Sequence, residues 1–126
     1  MSVVLDTSAI LAMLWSEPGA ERVDALLDDA KVSAANYSEL IAKLSDRGAD
    51  AAQIRDILLT LDLSVVDMTR DQAMVSGLLR DETRQFGLSL GDRCCLALAK
   101  VLDCPVLTAD KAWGNLDIDV EVEVIR

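Results

Sequence analysis

The sequence predicts a single α/β domain, residues 1–126, built on a mainly parallel sheet. Three observations carry this. Short aliphatic runs alternate along the chain with stretches that repeat apolar residues at i, i+3, i+4 and i+7, the pattern of strands joined by crossover helices. The composition is 52% hydrophobic but only 3% aromatic, so the core is aliphatic and the chain does not read as disordered. At 126 residues a domain buries roughly two thirds of its unfolded surface, so neither a disulfide nor a structural metal is needed.

The elements follow in order. Val3-Val4-Leu5 is an apolar run ending at an acid and predicts a buried strand. Asp6-Thr7-Ser8 caps a helix over Ala9 to about Trp15. Pro18-Gly19 breaks the chain, and Val23, Leu26, Leu27 and Ala30 repeat as a second helix. Lys31-Val32-Ser33-Ala34 predicts a short strand. Tyr37, Leu40, Ile41 and Leu44 mark a helix that ends at Arg47-Gly48, and Ile54, Ile57, Leu58 and Leu61 mark another. Leu63-Ser64-Val65-Val66 is a strand. Val75, Leu78, Leu79 and Phe86 define a long helix stopped near Gly87. Ser89-Leu90-Gly91-Asp92 has the form of a capping box, opening a helix whose stripe is Cys95, Leu98, Ala99 and Leu102. Pro105-Val106-Leu107-Thr108 is a strand. Val120, Val122 and Val124 alternate with Glu121 and Glu123, which predicts a half-exposed edge strand.

Four acids punctuate this path: Asp6, Glu39, Asp92 and Asp110. In parallel α/β sheets ligands bind beyond the carboxyl ends of the strands. Asp6 directly follows one strand and Asp110 follows another by two residues, so both belong on that edge. Asp92 opens a helix, where the dipole favours a carboxylate, and it borders an apolar stripe. Glu39 lies opposite the Tyr37/Leu40/Ile41/Leu44 stripe, on a face of small residues. Carboxylates about 5 Å apart repel by about 3 kcal/mol at an effective dielectric of 20. A cluster of four therefore implies a cation, and an all-oxygen pocket suits Mg²⁺ or Mn²⁺ and phosphodiester chemistry. The rival reading keeps the acids as helix caps and turn residues in a non-catalytic α/β protein-interaction module.

Composition removes other chemistry. The chain has no histidine, which excludes His-based acid–base catalysis, Ser-His-Asp triads and His-ligated zinc. Cys94, Cys95 and Cys104 lack zinc-ribbon spacing and read as small core residues, which fits a reducing, cytoplasmic setting. No apolar run reaches the ~18 residues of a membrane span. The net charge of −10 is unusual for a nucleic-acid binder, but bound divalent ions and a basic partner would offset it. An Asp-x-Asp phosphatase needs an acid where Ser8 stands, and a receiver domain needs adjacent early acids that are missing here. Among secondary candidates, Thr7 and Ser8 either position a metal-bound water or only cap a helix. Asn115 and Asp117 follow Asp110 in a loop. Arg93 and Lys111 adjoin acids, as phosphate contacts or as surface ion partners. Trp15 and Trp113 read as core or interface residues.

Four segments together carry a resemblance: Val4-Leu5-Asp6-Thr7-Ser8-Ala9, Asn36-Tyr37-Ser38-Glu39, Ser89 to Ala99, and Leu107-Thr108-Ala109-Asp110-Lys111-Ala112-Trp113. In this order and spacing they resemble the PIN-domain nucleases, specifically the VapC-type toxins of bacterial toxin–antitoxin pairs. The resemblance implies a Rossmann-like three-layer α/β/α sandwich. It also implies an Mg²⁺- or Mn²⁺-dependent endoribonuclease, with one or two ions held by Asp6, Glu39, Asp92 and Asp110. A homodimer, an RNA substrate and inhibition by a cognate antitoxin protein complete the expectation.

Overall fold

In the computed structural model, which describes residues 2–126, five short parallel strands form one sheet in the order β3-β2-β1-β4-β5. They are β1 Val3–Leu5, β2 Ala30–Ser33, β3 Ser64–Val66, β4 Val106–Thr108 and β5 Val122–Val124. Six helices connect them: α1 Thr7–Leu14, α2 Ala20–Leu26, α3 Ala34–Asp46, α4 Ala51–Leu61, α5 Arg70–Thr83 and α6 Leu90–Leu102. Alternation along the strands sorts the core into two layers. Val3, Leu5, Val32 and Leu107 pack with residues of α1 to α4, whereas Val4 and Val106 pack with α5, α6 and Trp113. The expected three-layer sandwich results.

The chain builds the sheet outward from β1 to β2 and β3, then returns to place β4 on the other side of β1. The strand order reverses between β1 and β4, whose registers pair Val4 with Val106 and Leu5 with Leu107. Parallel sheets open a crevice at such a switch point. Both strands are fully buried, so the backbone beyond them is fixed on both faces.

Several boundaries differ from the sequence pattern. Ala30 is not in the second helix but begins β2, because α2 ends at Leu26 in a 3₁₀ turn over Leu27–Asp29. Asp28 and Asp29 would oppose the negative end of a longer helix. Leu78 is 70% exposed, and Leu102 is also exposed. The buried face of α5 joins the expected Leu79 to Gln72, Ser76 and Thr83, three polar residues that an apolar count passes over. That helix ends at Thr83, followed by a 3₁₀ turn to Phe86 and then Gly87 at φ 65°. Cys94 and Cys95 are buried and Cys104 half-buried, all as free thiols. No helix among the described residues is long and apolar enough to cross a membrane.

A candidate carboxylate site at the switch point

Asp6 leaves β1 and caps α1, accepting the backbone N–H of Ala9 at 2.9 Å. Ser8 Oγ lies 2.7 and 2.9 Å from its two oxygens, and Thr108 Oγ1 donates to Oδ2 at 2.8 Å. Only 3% of the residue is exposed. Burial is the main force on its carboxyl, pushing the pKa from 3.8 to about 6; the bonds from Ser8, Ala9 and Thr108 pull it back, and the charge of Asp92 pushes it further. A buried carboxylate that three donors cannot return to its usual range is short of positive charge.

Asp110 is tied to Asp6 through two hydroxyls. Its N–H donates to Thr108 Oγ1 at 3.0 Å, and the N–H of Ala109 donates to Ser8 Oγ at 2.9 Å. Its own carboxylate is exposed and caps the next turn by accepting the N–H of Ala112 at 3.0 Å. The short segments β1 and β4 thus deliver two acids side by side.

Glu39 comes from α3, which packs against both α1 and α6. Oε1 accepts Asn36 Nδ2 at 2.8 Å and Thr7 Oγ1 at 2.9 Å. Asn36 is itself buried and also reaches the Gly91 carbonyl of α6 at 3.3 Å. Its Oδ1 has no partner, and an orphaned buried acceptor costs about 1–3 kcal/mol. Gly91 lies against Glu39 so closely that a β-carbon there would overlap the carboxylate.

Asp92 completes the capping box of α6: Ser89 Oγ accepts the Asp92 N–H at 3.1 Å, and Asp92 Oδ2 accepts the Ser89 N–H at 2.9 Å. Burial raises its pKa most, the Ser89 bonds lower it, and the charges of Glu39 and Asp110 raise it further. With the effect of Asp92 on Asp6, these mutual repulsions run through all four acids. They share one end of the sheet, as their sequence positions predict.

The four are not drawn into a ready-made cage. Among the described residues, no three acidic or thiol side chains stand in metal-holding geometry. Each carboxylate is turned toward a local donor, which is how four acids avoid one another without a counter-ion. The donor chemistry fits a hard divalent cation: Asp6, Glu39, Asp92 and Asp110 offer only oxygen, no histidine is present, and the nearby Cys95 thiol is kept protonated by burial and by the charges of Asp6, Asp92 and Glu39. A concavity of about 460 Å³, lined by Ser8, Ala109, Asp110, Lys111 and Arg126, opens beside it. Another of about 470 Å³ lies around Lys100, Cys104 and Asp119, away from the acids.

The secondary candidates separate cleanly. Thr7 and Ser8 touch the acids directly. Arg93 instead donates from Nη1 to the Ser76 carbonyl of α5 at 3.1 Å and has no bond to the cluster. Lys111, Asn115 and Asp117 are exposed. Trp113 is core at 1% exposure, and Trp15 carries the Arg47 guanidinium 3.8 Å above its ring. Thr108, Asn36 and Gly91 were not marked by periodicity or charge. Their sequence signal is membership of the segments that carry the resemblance, with Asn36 one turn before Glu39, Gly91 next to Asp92, and Thr108 two residues before Asp110.

The PIN domain family matches residues 3–119. Ribonuclease VapC42 of Mycobacterium tuberculosis is 32% identical, with 92% of this chain and 96% of the relative covered. Ribonuclease VapC30 of the same organism is 30% identical, with 92% and 95% covered. Among solved structures, the DNA-bound VapBC of Salmonella typhimurium superposes with a TM-score of 0.76 at 19% identity, over 98% of this chain and 97% of that one; at that identity the likeness speaks for the fold.

Proposed function

The chain belongs to the PIN domain family, and we propose that it is a divalent-metal-dependent endoribonuclease, the toxin of a toxin–antitoxin pair. The observation that carries this is Asp6, a buried acid with pKa about 6 at the switch point of a parallel sheet, on the same end of the sheet as Glu39, Asp92 and Asp110. The ribonuclease relatives in the VapC group supply the substrate class.

Asp6, Asp92 and Asp110 are the residues that would hold one or two Mg²⁺ or Mn²⁺ ions. Such an ion lowers the pKa of a bound water and offsets charge at the leaving oxygen. The chain's own groups do the remaining work. Ser8 and Thr108 keep the Asp6 carboxylate in one orientation. Thr7 holds Glu39 at Oε1, and Oε2, which carries no hydrogen bond among the described residues, would accept a proton from the attacking water. With no histidine in the sequence to drive attack by the 2′-hydroxyl, water is the nucleophile. The products then carry 5′-phosphate and 3′-hydroxyl ends.

The net charge of −10 and the acidic cluster suit a basic antitoxin segment that places Arg or Lys among the carboxylates. Such binding weakens with salt and competes with Mn²⁺. The active protein is a homodimer on this reading, acting in the cytoplasm.

The test is cleavage of a mixed RNA pool with Mn²⁺ or EDTA, wild type beside Asp6→Asn, with end-group analysis. Metal-dependent cuts lost in the variant support the reading. Cyclic 2′,3′-phosphate ends, or an Asp6→Asn protein that still cuts, refute it. One observation favours a second reading, a non-catalytic protein-interaction module: Asp6, Asp92 and Asp110 do cap their elements. That module predicts no Mn²⁺-dependent thermal shift.

A further inference from the structure

We propose that Asn36 is a positioning residue for Glu39, and that Gly91 supplies the clearance this requires; the inference rests on the ribonuclease reading of the site. Glu39 uses one oxygen for all its hydrogen bonds. Oε1 is held at 2.8 Å by Asn36 and at 2.9 Å by Thr7, from two different helices. Oε2 has no bond among the described residues. A glutamate side chain has three soft torsions, and pinning one oxygen from two directions sets where the other points. Asn36 and Glu39 are i and i+3 on α3, on one helix face.

The amide orientation follows from its surroundings. Nδ2 faces Glu39 Oε1, Thr7 Oγ1 and the Gly91 carbonyl, all able to accept. The reverse orientation would set Oδ1 against a carboxylate and a carbonyl. Oδ1 is therefore the atom left buried without a partner. An apolar residue of similar size would remove that orphan; only the donor would be lost. A residue that leaves its own acceptor unsatisfied in order to present a donor is a local conflict of the kind found at functional sites.

Gly91 repeats the logic. It sits in the first turn of α6, where glycine is a poor helix former, and its backbone has no left-handed conformation to require it. What excludes a side chain is Glu39, whose carboxylate fills the place of a β-carbon. Asn36 thus ties Glu39 down from α3 while α6 is hollowed to admit it, and the neighbouring Asp92 is brought alongside.

Two experiments test this. Asn36→Leu should lower kcat for RNA cleavage by about a hundredfold, the scale of a misplaced reacting group. Its KM should stay within about twofold, and its Tm should be unchanged or higher. A kcat within about threefold of wild type overturns the proposal, as does a loss that merely tracks a fallen Tm. The second is a thermal cycle that needs no activity. Gly91→Ala should lower Tm in the wild-type chain but leave it unchanged or raise it in Glu39→Ala, where the carboxylate is gone. An equal drop in both backgrounds overturns the role of Gly91. A wild-type protein that cuts no RNA defeats the nuclease reading, while the thermal cycle still decides whether Gly91 makes room for Glu39.

Discussion

Replacing Asp6 by Asn should stabilise the metal-free protein. The Asp6 carboxyl sits at about 6 rather than 3.8. At about 1.36 kcal/mol per tenfold change in proton affinity, ionising it in the folded state forfeits about 3 kcal/mol at pH 7.5. Asn keeps the shape and still accepts from Ala9 through Oδ1. Its new Nδ2 must find an acceptor among the rotatable hydroxyls of Ser8 and Thr108, for which about 1 kcal/mol is a fair deduction. The net gain is about 2 kcal/mol. With an unfolding entropy near 2.1 cal/mol/K per residue over 126 residues, that is a rise of about 8 °C in Tm.

The pH dependence carries the sign of the cause. Between pH 3.8 and about 6 the folded wild type binds more protons at Asp6 than the unfolded chain does. Its stability therefore rises as pH falls through this window. Asn at position 6 has nothing to titrate, so the advantage of the variant should shrink from pH 7.5 and vanish near about pH 4.5. The assay is thermal unfolding by circular dichroism in EDTA across that range. A variant less stable than wild type at pH 7.5, or a gain of the same size at both ends, would show that Asp6 is a well-satisfied cap and refute the charge argument.

Other outcomes are equally specific. Mn²⁺ at about 100 times its dissociation constant should stabilise the wild type by about 2.7 kcal/mol, and EDTA should reverse this; Asp6→Asn should show almost none of the rise. Thr108→Val removes the donor to Asp6 and the acceptor for the Asp110 N–H, so urea unfolding should show a loss of about 1–3 kcal/mol and cleavage should fall with it. Arg93→Met should cleave RNA at a rate within about threefold of wild type, since Arg93 reaches Ser76 and not the acids; a collapse of activity would put that guanidinium on the substrate. Trp113→Ala, in the core at 1% exposure, should cost about 3–5 kcal/mol.

The acids were legible because each sits where strand chemistry gives way to helix chemistry, and those junctions are local. Val3-Val4-Leu5 followed by Asp6 states both a buried strand and its end, and the structure keeps that order. The outer face of α5 was not legible. Met74 and Leu78 are exposed while Gln72, Ser76 and Thr83 are buried, because the packing partner is a helix whose own facing residues include Arg93 and Cys94. Pair preferences of that kind are set between elements, and one-dimensional periodicity does not contain them. Asn36, Gly91 and Thr108 stand in the segments that carry the resemblance, but what they touch is not legible, for the same reason. Their partners lie 55 residues away for Asn36 and Gly91 and 102 residues away for Thr108 and Asp6.

Caps and longer-range hydrogen bonds together explain how the folded chain tolerates its four acids. Four carboxylates brought to one crevice would repel strongly before any ion arrived. In the folded chain each one is paired: Asp6 with Ala9 and two hydroxyls, Glu39 with Thr7 and Asn36, Asp92 with Ser89, and Asp110 with Ala112. A cation must then compete with these donors, and its affinity is what remains after they are displaced or shared. Asp6 and Asp92, with their raised pKa values, gain most from a positive charge, whereas exposed Asp110 gains least. Metal affinity should therefore fall far more in Asp6→Asn than in Asp110→Asn. Mn²⁺ titration followed by electron paramagnetic resonance reads this directly, and equal losses in the two variants would mean that burial does not set the order.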